Sequence, residues 1–392
     1  MSKKKRIPEL RFPEFKNEGE WELRALEDAL DYERPDKYIV SDTNYQNEGI
    51  PVLTANKSFI LGYTNEDYGI YKKLPAIIFD DFTVDSKFVD FPFKVKSSAI
   101  KILTPKNKDD LRFAYELISQ IDFNAAQHKR YYISEYQKLK LPFPSIKEQQ
   151  KIASCLSSLD DLIEAHNQKL DLLQDHKKGL MQNLFPQKGE KVPKLRFKEF
   201  EKDGEWVEKK LGEIAEIITG NTPNTKETEN YGGERLFVSP ADISDNRFIS
   251  QTKTTLTELG FSQTRHIKAN SILFVCIGST IGKVAQNKVE CATNQQINSL
   301  IPYEGYSNEF LYSSLENSAS QISELAGIQA VPIINKSQFS TVKLLFPKLQ
   351  EQQKIASTLS SLDELITTQA EKIEQLKEHK KGLMQGLFPI ID

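Results

Sequence analysis

The stretch Gly278-Ser279-Thr280-Ile281-Gly282-Lys283 is the closest approach to a chemical motif in this chain. A glycine-rich loop ending in lysine can cradle phosphates, but it needs four residues between its glycines and a Ser or Thr after the lysine to hold magnesium. Here three residues separate the glycines and Val284 follows Lys283, so the stretch reads as a tight loop between two strands. No GxGxxG and no HExxH occurs, and His128, His166, His176, His266 and His379 are scattered. His166 falls in a helical seam, while His176 and His379 sit in a repeated HKKGLMQ near helix ends, where positive charge suits the macrodipole. Asp80, Asp81 and Asp85, and Asp242 with Asp245, could offer carboxylates to a metal, but no matching acid or lysine set accompanies them, and they read as surface loops. Cys155, Cys276 and Cys291 show neither ligand spacing nor a disulfide framework, and read as reduced, buried thiols of a cytosolic protein. Nothing assembles a nucleophile, a base and an oxyanion site. The expectation is a binding protein with no catalytic residue, no metal and no cofactor of its own.

The elements that would position such binding residues are repeated. EQQKIASCLSSLDDLIEAHNQKLDLLQDHKKGLMQNLFP starts at Glu148, and EQQKIASTLSSLDELITTQAEKIEQLKEHKKGLMQGLFP starts at Glu351. They align without gaps and about two thirds of their positions are identical. A shorter lead segment precedes each: IPELRFPEFKNEGEW from Ile7 and VPKLRFKEFEKDGEW from Val192. The inserts between lead segment and long repeat, roughly 30–140 and 215–343, show no such similarity. Two copies are too few for a solenoid, and a duplicated frame around diverged inserts is the natural reading.

Apolar residues in the first long repeat fall at Ile152, Leu156, Leu159, Ile163, Leu170, Leu173, Leu180 and Leu184, with His166 and Lys177 completing the steps of four and three. The second gives Ile355, Leu359, Leu362, Ile366, Gln369, Ile373, Leu376, Lys380, Leu383 and Leu387. This is an a/d heptad seam, too narrow for a globular core face and in need of a partner helix. Ser145 with Glu148 reads as a capping box at the first start, and Phe185-Pro186 and Phe388-Pro389 close the two helices. Helices of about 38 residues would be about 57 Å long. The short link from Pro186 to the second lead segment brings the end of the first helix near the start of the second, so the pair is expected to be antiparallel, with Leu156 opposite Leu383, Ile163 opposite Leu376 and Leu173 opposite Ile366. Closure by the lead segments implies a circular arrangement, with residues 7–30 near the end of the second helix.

Each insert is long enough for one small α+β core. In the first, PAIIFDDF and FKVKSSAIKIL read as strands and LRFAYELISQI as a helix on the sheet. In the second, SILFVCIG and GKVAQ read as paired strands and EFLYSSLENSASQISEL as helix. The fold class is therefore α+β: two globular domains separated by two long helices forming an antiparallel coiled coil, with pseudo-two-fold, circular organisation. The expected boundaries are 1–143, 144–186, 187–346 and 347–392.

Two unlike domains at a fixed separation suit two sites on one long object, and B-DNA is the obvious one. Thr54, Asn56, Lys57, Lys72 and Lys73 lie in polar loops of the first insert, and Thr222, Asn224, Ser279, Thr280 and Lys283 in loops of the second. Lys, Ser and Thr can contact phosphates, and Asn can read adenine. Of 392 residues, 52 are Lys or Arg and 55 Asp or Glu, a net charge of -3, which excludes a polycationic arm and weighs against tight DNA binding by this chain alone. No apolar run is long enough to span a membrane and no secretory h-region follows the basic start, so a cytoplasmic protein is expected.

With its duplicated LPFPSIKEQQKIA and LLFPKLQEQQKIA, paired HKKGLMQ–LFP ends, and ITGNTPN and GSTIGKVAQ–NQQIN stretches, the chain resembles the specificity subunit of a type I restriction–modification system along essentially its whole length. The first insert departs from it, with FDDFTVDSKF where the family often has a GxxGK-type loop. The resemblance implies that each insert is a target-recognition domain reading one half of a split, asymmetric site in double-stranded DNA. The helices would set the spacer and dock two methyltransferase subunits carrying S-adenosylmethionine, which methylate adenine N6. Restriction subunits would add translocation and cleavage with ATP and magnesium. A flipped adenine would enter the methyltransferase pocket, so this chain would need no catalytic residue. A coiled-coil scaffold without sequence-dependent DNA affinity, and a nuclease, are the competing readings; a scaffold gains nothing from like helices carrying unlike inserts.

Overall fold

A computed structural model describes residues 6–390 apart from 57, 124, 126–128, 245 and 328–330, so Lys57, His128 and Asp245 lie outside the described residues. The chain divides into two compact units, one of residues 1–166 with 373–392 and one of residues 167–372. The long repeats form two helices, Ile146–Leu184 and Leu349–Leu387, and each unit takes the first part of one helix and the last part of the other.

Inside each unit the two helix segments run antiparallel. In the first unit Ile152, Ala153 and Leu156 share a core with Leu387 and Phe388, and Leu383 packs against it. In the second unit Met181 and Leu184 share a core with Ile355, Ala356 and Leu359. Early residues of one helix therefore meet late residues of the other, as the short connection requires. Of the seam positions, Ile152, Leu156, Ile355, Leu359, Leu362, Ile373 and Leu376 are buried, and Leu159, Ile163, Leu170, Leu173, Leu180, Ile366 and Leu383 are half-buried. Each fully buried side chain contributes roughly 1.5–3 kcal/mol of apolar burial.

The first insert builds a four-stranded sheet in the order Leu30–Glu33, Ile100–Pro105, Ala76–Asp80, Ser86–Val89, and a three-stranded sheet in the order Ile60–Thr64, Ile50–Leu53, Lys94–Val95. The second builds a five-stranded sheet, Ala215–Thr219, Ile297–Pro302, Ile272–Val275, Val284–Asn287, Phe248–Ile249, and a three-stranded one, Thr254–Leu256, Tyr231–Val238, Ala292–Thr293. The connectivity matches. In both three-stranded sheets the middle strand pairs antiparallel on one side and parallel on the other. Two inserts that lack the close repeat of the helices thus share one topology, apart from the extra edge strand Phe248–Ile249 of the second.

The period-2 geometry of a strand explains the continuous apolar runs. Ile77 and Phe79 face the core shared with the helices, while Ala76 and Ile78 face the core under the smaller sheet. Ile272 and Phe274 divide from Leu273 and Val275 in the same way in the second unit. A helix, Leu111–Ile118 or Asn308–Ser323, covers the first of these faces.

The lead segments and the EQQ stretch form a clasp repeated in each unit. Arg11 donates to both oxygens of Glu148 at 2.7 Å, and Arg196 to both oxygens of Glu351 at 2.8 and 2.7 Å. Glu148, read from sequence as the far side of a capping box, has its carboxylate on a guanidinium from a distant segment. Gln149 donates to the Pro144 carbonyl and accepts from the backbone N–H of Asp110; Gln352 does the same with Pro347 and Ser307. Asp110 and Ser307 are the N-caps of the two insert helices, so one glutamine locks the start of a long helix to the start of an insert helix. Trp21 and Phe113 pack on Phe388, and Trp206 and Phe310 on Phe185, with the Phe pairs stacked at 5.4 Å in both units.

Candidate nucleic-acid interface

In the second unit, four loops converge at one end of the five-stranded sheet. Gly220 hydrogen-bonds Ile297 and passes so close to the 293–294 backbone that a Cβ would lie 2.2 Å from the Thr293 carbonyl oxygen. Only glycine allows that approach. Thr222 then donates to Gln295 at 2.7 Å, Gln296 donates to the Ile277 carbonyl at 3.2 Å, and Lys283 reaches the Ile243 carbonyl at 2.6 Å. The loops of residues 220–224, 239–243, 277–283 and 294–296 are thereby stitched together. Thr222, Asn224, Ser279, Lys283 and Gln295 are exposed on them, and Thr280 is half-buried. Asn224 is also engaged locally, donating to Glu227 at 2.8 Å and accepting from the N–H of Lys226.

The Gly278–Lys283 loop is no phosphate cradle. The N–H groups of Gly278, Ile281, Gly282 and Lys283 donate to the carbonyls of Pro332, Gly278, Val275 and Thr280. A phosphate nest needs such donors free. Its offer to a nucleic acid is the Ser279 and Thr280 hydroxyls and a tethered lysine.

In the first unit, Thr54 is buried and its hydroxyl donates to the Asn56 side-chain carbonyl, while Phe59 closes the turn by backbone bonds to Thr54 and Asn56. The Thr54 hydroxyl and the Asn56 side-chain carbonyl are engaged with each other in shaping the loop, and Asn56 is exposed there. Lys72 and Lys73 are exposed, and Lys73 is ion-paired with Glu33 at 3.0 Å, which raises its pKa above the ordinary lysine range. The two segments rest on one small core, through Leu53, Ala55 and Phe59 on one side and Tyr71 and Leu74 on the other.

Several of the other chemistry-bearing residues have local structural partners. Asp80 accepts from the N–H groups of Phe82 and Thr83, Asp81 pairs with Lys101 at 2.9 Å, and Asp242 accepts from Ser239 and Lys253. His266 stacks on Phe261 with ring centroids 4.1 Å apart. No group of His, Cys, Asp and Glu that could hold a metal occurs among the described residues.

Asn294, Gln295 and Gln296 were missed as site residues, although they bridge three loops of the cluster. The signal was present: a polar amide run between the buried strands Ala292–Thr293 and Ile297–Pro302. Arg265 was missed as well; it is exposed and donates to the Thr219 carbonyl at 2.6 Å, beside the Gly220 turn.

Fold and loops together define a duplicated binding scaffold, two like frames bearing unlike loops. Comparison with known proteins agrees. The family described as type I restriction modification DNA specificity domain matches residues 18–175 and 203–378. The type I restriction enzyme EcoR124I/EcoR124II specificity subunit of Escherichia coli is 35% identical over 371 residues, covering 89% of this chain and 87% of the relative. The MjaVIII specificity subunit of Methanocaldococcus jannaschii is 25% identical over 417 residues, covering 97% and 93%. The crystal structure of a type I restriction–modification S subunit from M. genitalium superposes with a TM-score of 0.70 at 16% identity, covering 98% of this chain and all of that one. This chain belongs to the family of type I restriction–modification specificity subunits, the non-catalytic DNA-recognition members of those systems, and carries two target-recognition domains. Among the described residues no helix is long and apolar enough to cross a membrane.

Proposed function

We propose that each insert reads one half of a split, asymmetric sequence in double-stranded DNA, while the long helices set the spacer and dock two methyltransferase subunits. The observation that carries this reading is the pairing of one shared insert topology with unlike loops on a frame whose Arg–Glu clasp is repeated in both units. Reading two different half-sites calls for different surfaces on equal supports. The chain binds no cofactor of its own: S-adenosylmethionine belongs to the methyltransferase partner, and ATP and magnesium to the restriction subunits. The net charge of -3 fits a subunit that selects DNA while partners supply much of the phosphate neutralisation. The chain works in the cytoplasm, where its thiols stay reduced.

The test is methylation-site sequencing of DNA exposed to the full chain with its methyltransferase. Replacing residues 31–140 by another insert should change one half of the methylated sequence and leave the other. Adding one heptad to a helix should change the spacer. A swap that alters both halves contradicts the two-reader model, and a chain that directs no sequence-dependent methylation contradicts the DNA-recognition role.

A further inference from the structure

The repeated helices carry a charged pair inside each unit, and each insert completes it by a different route. In the first unit Lys380 holds both oxygens of Asp160 at 2.7 Å and lies 3.6 Å from Glu116 of the insert helix. In the second unit Lys177 holds Asp363 at 2.8 Å and Glu316 of the insert helix at 3.0 Å. Lys177 and Lys380 are equivalent positions of the repeat, as are Asp160 and Asp363. Burial alone would lower Lys177, but Glu316 and Asp363 outweigh it and hold its pKa above the ordinary range.

The completing residues are not equivalent. Phe113 and Phe310 mark the same place on the two insert helices, since each stacks on the Phe that ends a long helix. From those anchors Glu116 is three residues on and Glu316 is six. The arginine that caps the aspartate comes from different elements altogether. Arg112, on the insert helix, pairs with Asp160 and Glu116 and lies over Phe88 and Tyr115 at 4.9 and 5.4 Å. Arg247, next to the strand Phe248–Ile249, lies 3.4 Å from Asp363, donates to Ser360 at 2.6 Å, and lies over Tyr312 and Phe248 at 4.6 and 5.0 Å. The same arrangement, a glutamate and an aromatic-backed arginine around a fixed Lys–Asp pair, is built twice from different positions of the two inserts.

We propose that the Lys–Asp pair is a docking socket through which the frame fixes the orientation of whatever insert it carries, and that an exchangeable insert must bring its own glutamate and arginine as the matching, charge-complementary plug. Arg112, Glu116, Arg247 and Glu316 are then positioning residues: they aim the reading loops without touching DNA. The socket's part in sequence reading rests on the function proposed above; docking itself does not. The rule also gives a compatibility criterion for domain exchange, one that sequence alignment of the inserts cannot supply because the plug has no fixed address.

The test inverts the socket in the full chain. Asp160→Lys with Lys380→Asp keeps a helix–helix ion pair but sets lysine against Arg112 and aspartate against Glu116. Hydrogen exchange of the insert helix Leu111–Ile118 should speed at least tenfold, while the segment around Ile152 and the whole second unit keep their protection. Adding Arg112→Glu and Glu116→Arg should restore protection to within threefold. Unchanged exchange in the inverted socket, or no rescue by the inverted plug in a chain of wild-type helix content, overturns the proposal. With the methyltransferase present, the inverted socket should also lose at least tenfold in methylation at the native spacer and regain it with the plug. A wild-type complex that methylates no split site would count against the proposed function while leaving the exchange result to decide the socket.

Discussion

The backbone N–H of Leu10 donates to the carbonyl of Gly386 at 2.8 Å, and that bond ties the first segment of the chain to the last turn of its second long helix. Leu195 makes the same bond to Asn183, also at 2.8 Å, in the second unit. The last helical turns are therefore core material for the first unit, where Leu387 and Phe388 cover Trp21 and Leu156. Truncation after Lys372 should unfold the first unit and spare the second. Losing several buried side chains at roughly 1.5–3 kcal/mol each removes most of a stability margin of about 5–15 kcal/mol. Limited proteolysis should then cut within the first insert and leave a fragment of residues 167–372 resistant.

The Arg11–Glu148 pair makes a sharper mutational prediction. The Glu148 side chain is 1% exposed, so Arg11→Ala leaves a carboxylate buried without its counter-charge. The cost should be about 3–5 kcal/mol. Arg11→Lys should recover only part of it, because one ammonium cannot reproduce the two-point fork. Each unit owns one of the two tryptophans, Trp21 and Trp206, so urea unfolding followed by fluorescence in a Trp206→Phe background reports the first unit alone.

Asp109 gives a pH dependence of defined sign. Burial would raise its pKa, but hydrogen bonds from Arg24 and Gln149 and the charge of Arg24 hold it below the ordinary 3.8. A carboxyl depressed in the folded state contributes stability that is complete above its unfolded pKa and is lost as pH falls through the folded one. The first unit should therefore weaken progressively below about pH 4. Asp109→Asn should flatten that acid limb in denaturation curves taken between pH 2 and 6.

The thiols report on the second unit. Burial pushes Cys276 and Cys291 up to about 12, while Cys155 is half-buried on the first long helix. At pH 8 roughly one in ten thousand of the two buried thiols would be thiolate, the reactive form. A thiol reagent should label Cys155 alone in the folded chain, and labelling of the other two should track unfolding of residues 167–372, as read by mass spectrometry.

Gly220→Ala should disturb the interface loops with little effect on the rest of the unit. The new methyl group would fall 2.2–2.3 Å from backbone oxygens of Thr293 and Asn294, which must move. Overpacking of this kind costs typically about 1–3 kcal/mol. Because the displaced backbone carries Gln295 and Gln296, methylation directed by the second half-site should fall by more than the loss of stability accounts for. Comparing methylation rate with thermal stability of the same variant separates the two.

How much of this was legible in the residues follows physical lines. The long helices were, because a seam of Ile and Leu at steps of four and three has one structural meaning, and so was their antiparallel sense, because a short link after Pro186 permits no other. The clasp was not, since Glu148 looks like half of a capping box until Arg11 arrives from a remote segment. The shared insert topology was hidden for a related reason: strands covered on both faces, such as Ile272–Val275, read as plain apolar runs without an address in the sheet. Among the loop residues, polarity alone could not tell Asn56, which is exposed, from Thr54, whose hydroxyl is turned inward.

The division of each long helix between the units also orders events on the ribosome. The second unit consists of consecutive residues and has everything it needs once Lys372 has been made. The first unit, although its strands are synthesised earlier, must wait for residues 373–392 to cover Trp21 and Leu156. The half of the protein that starts last is thus the half that can finish first, and an incomplete first half spends most of translation with an open apolar seam that a chaperone could hold.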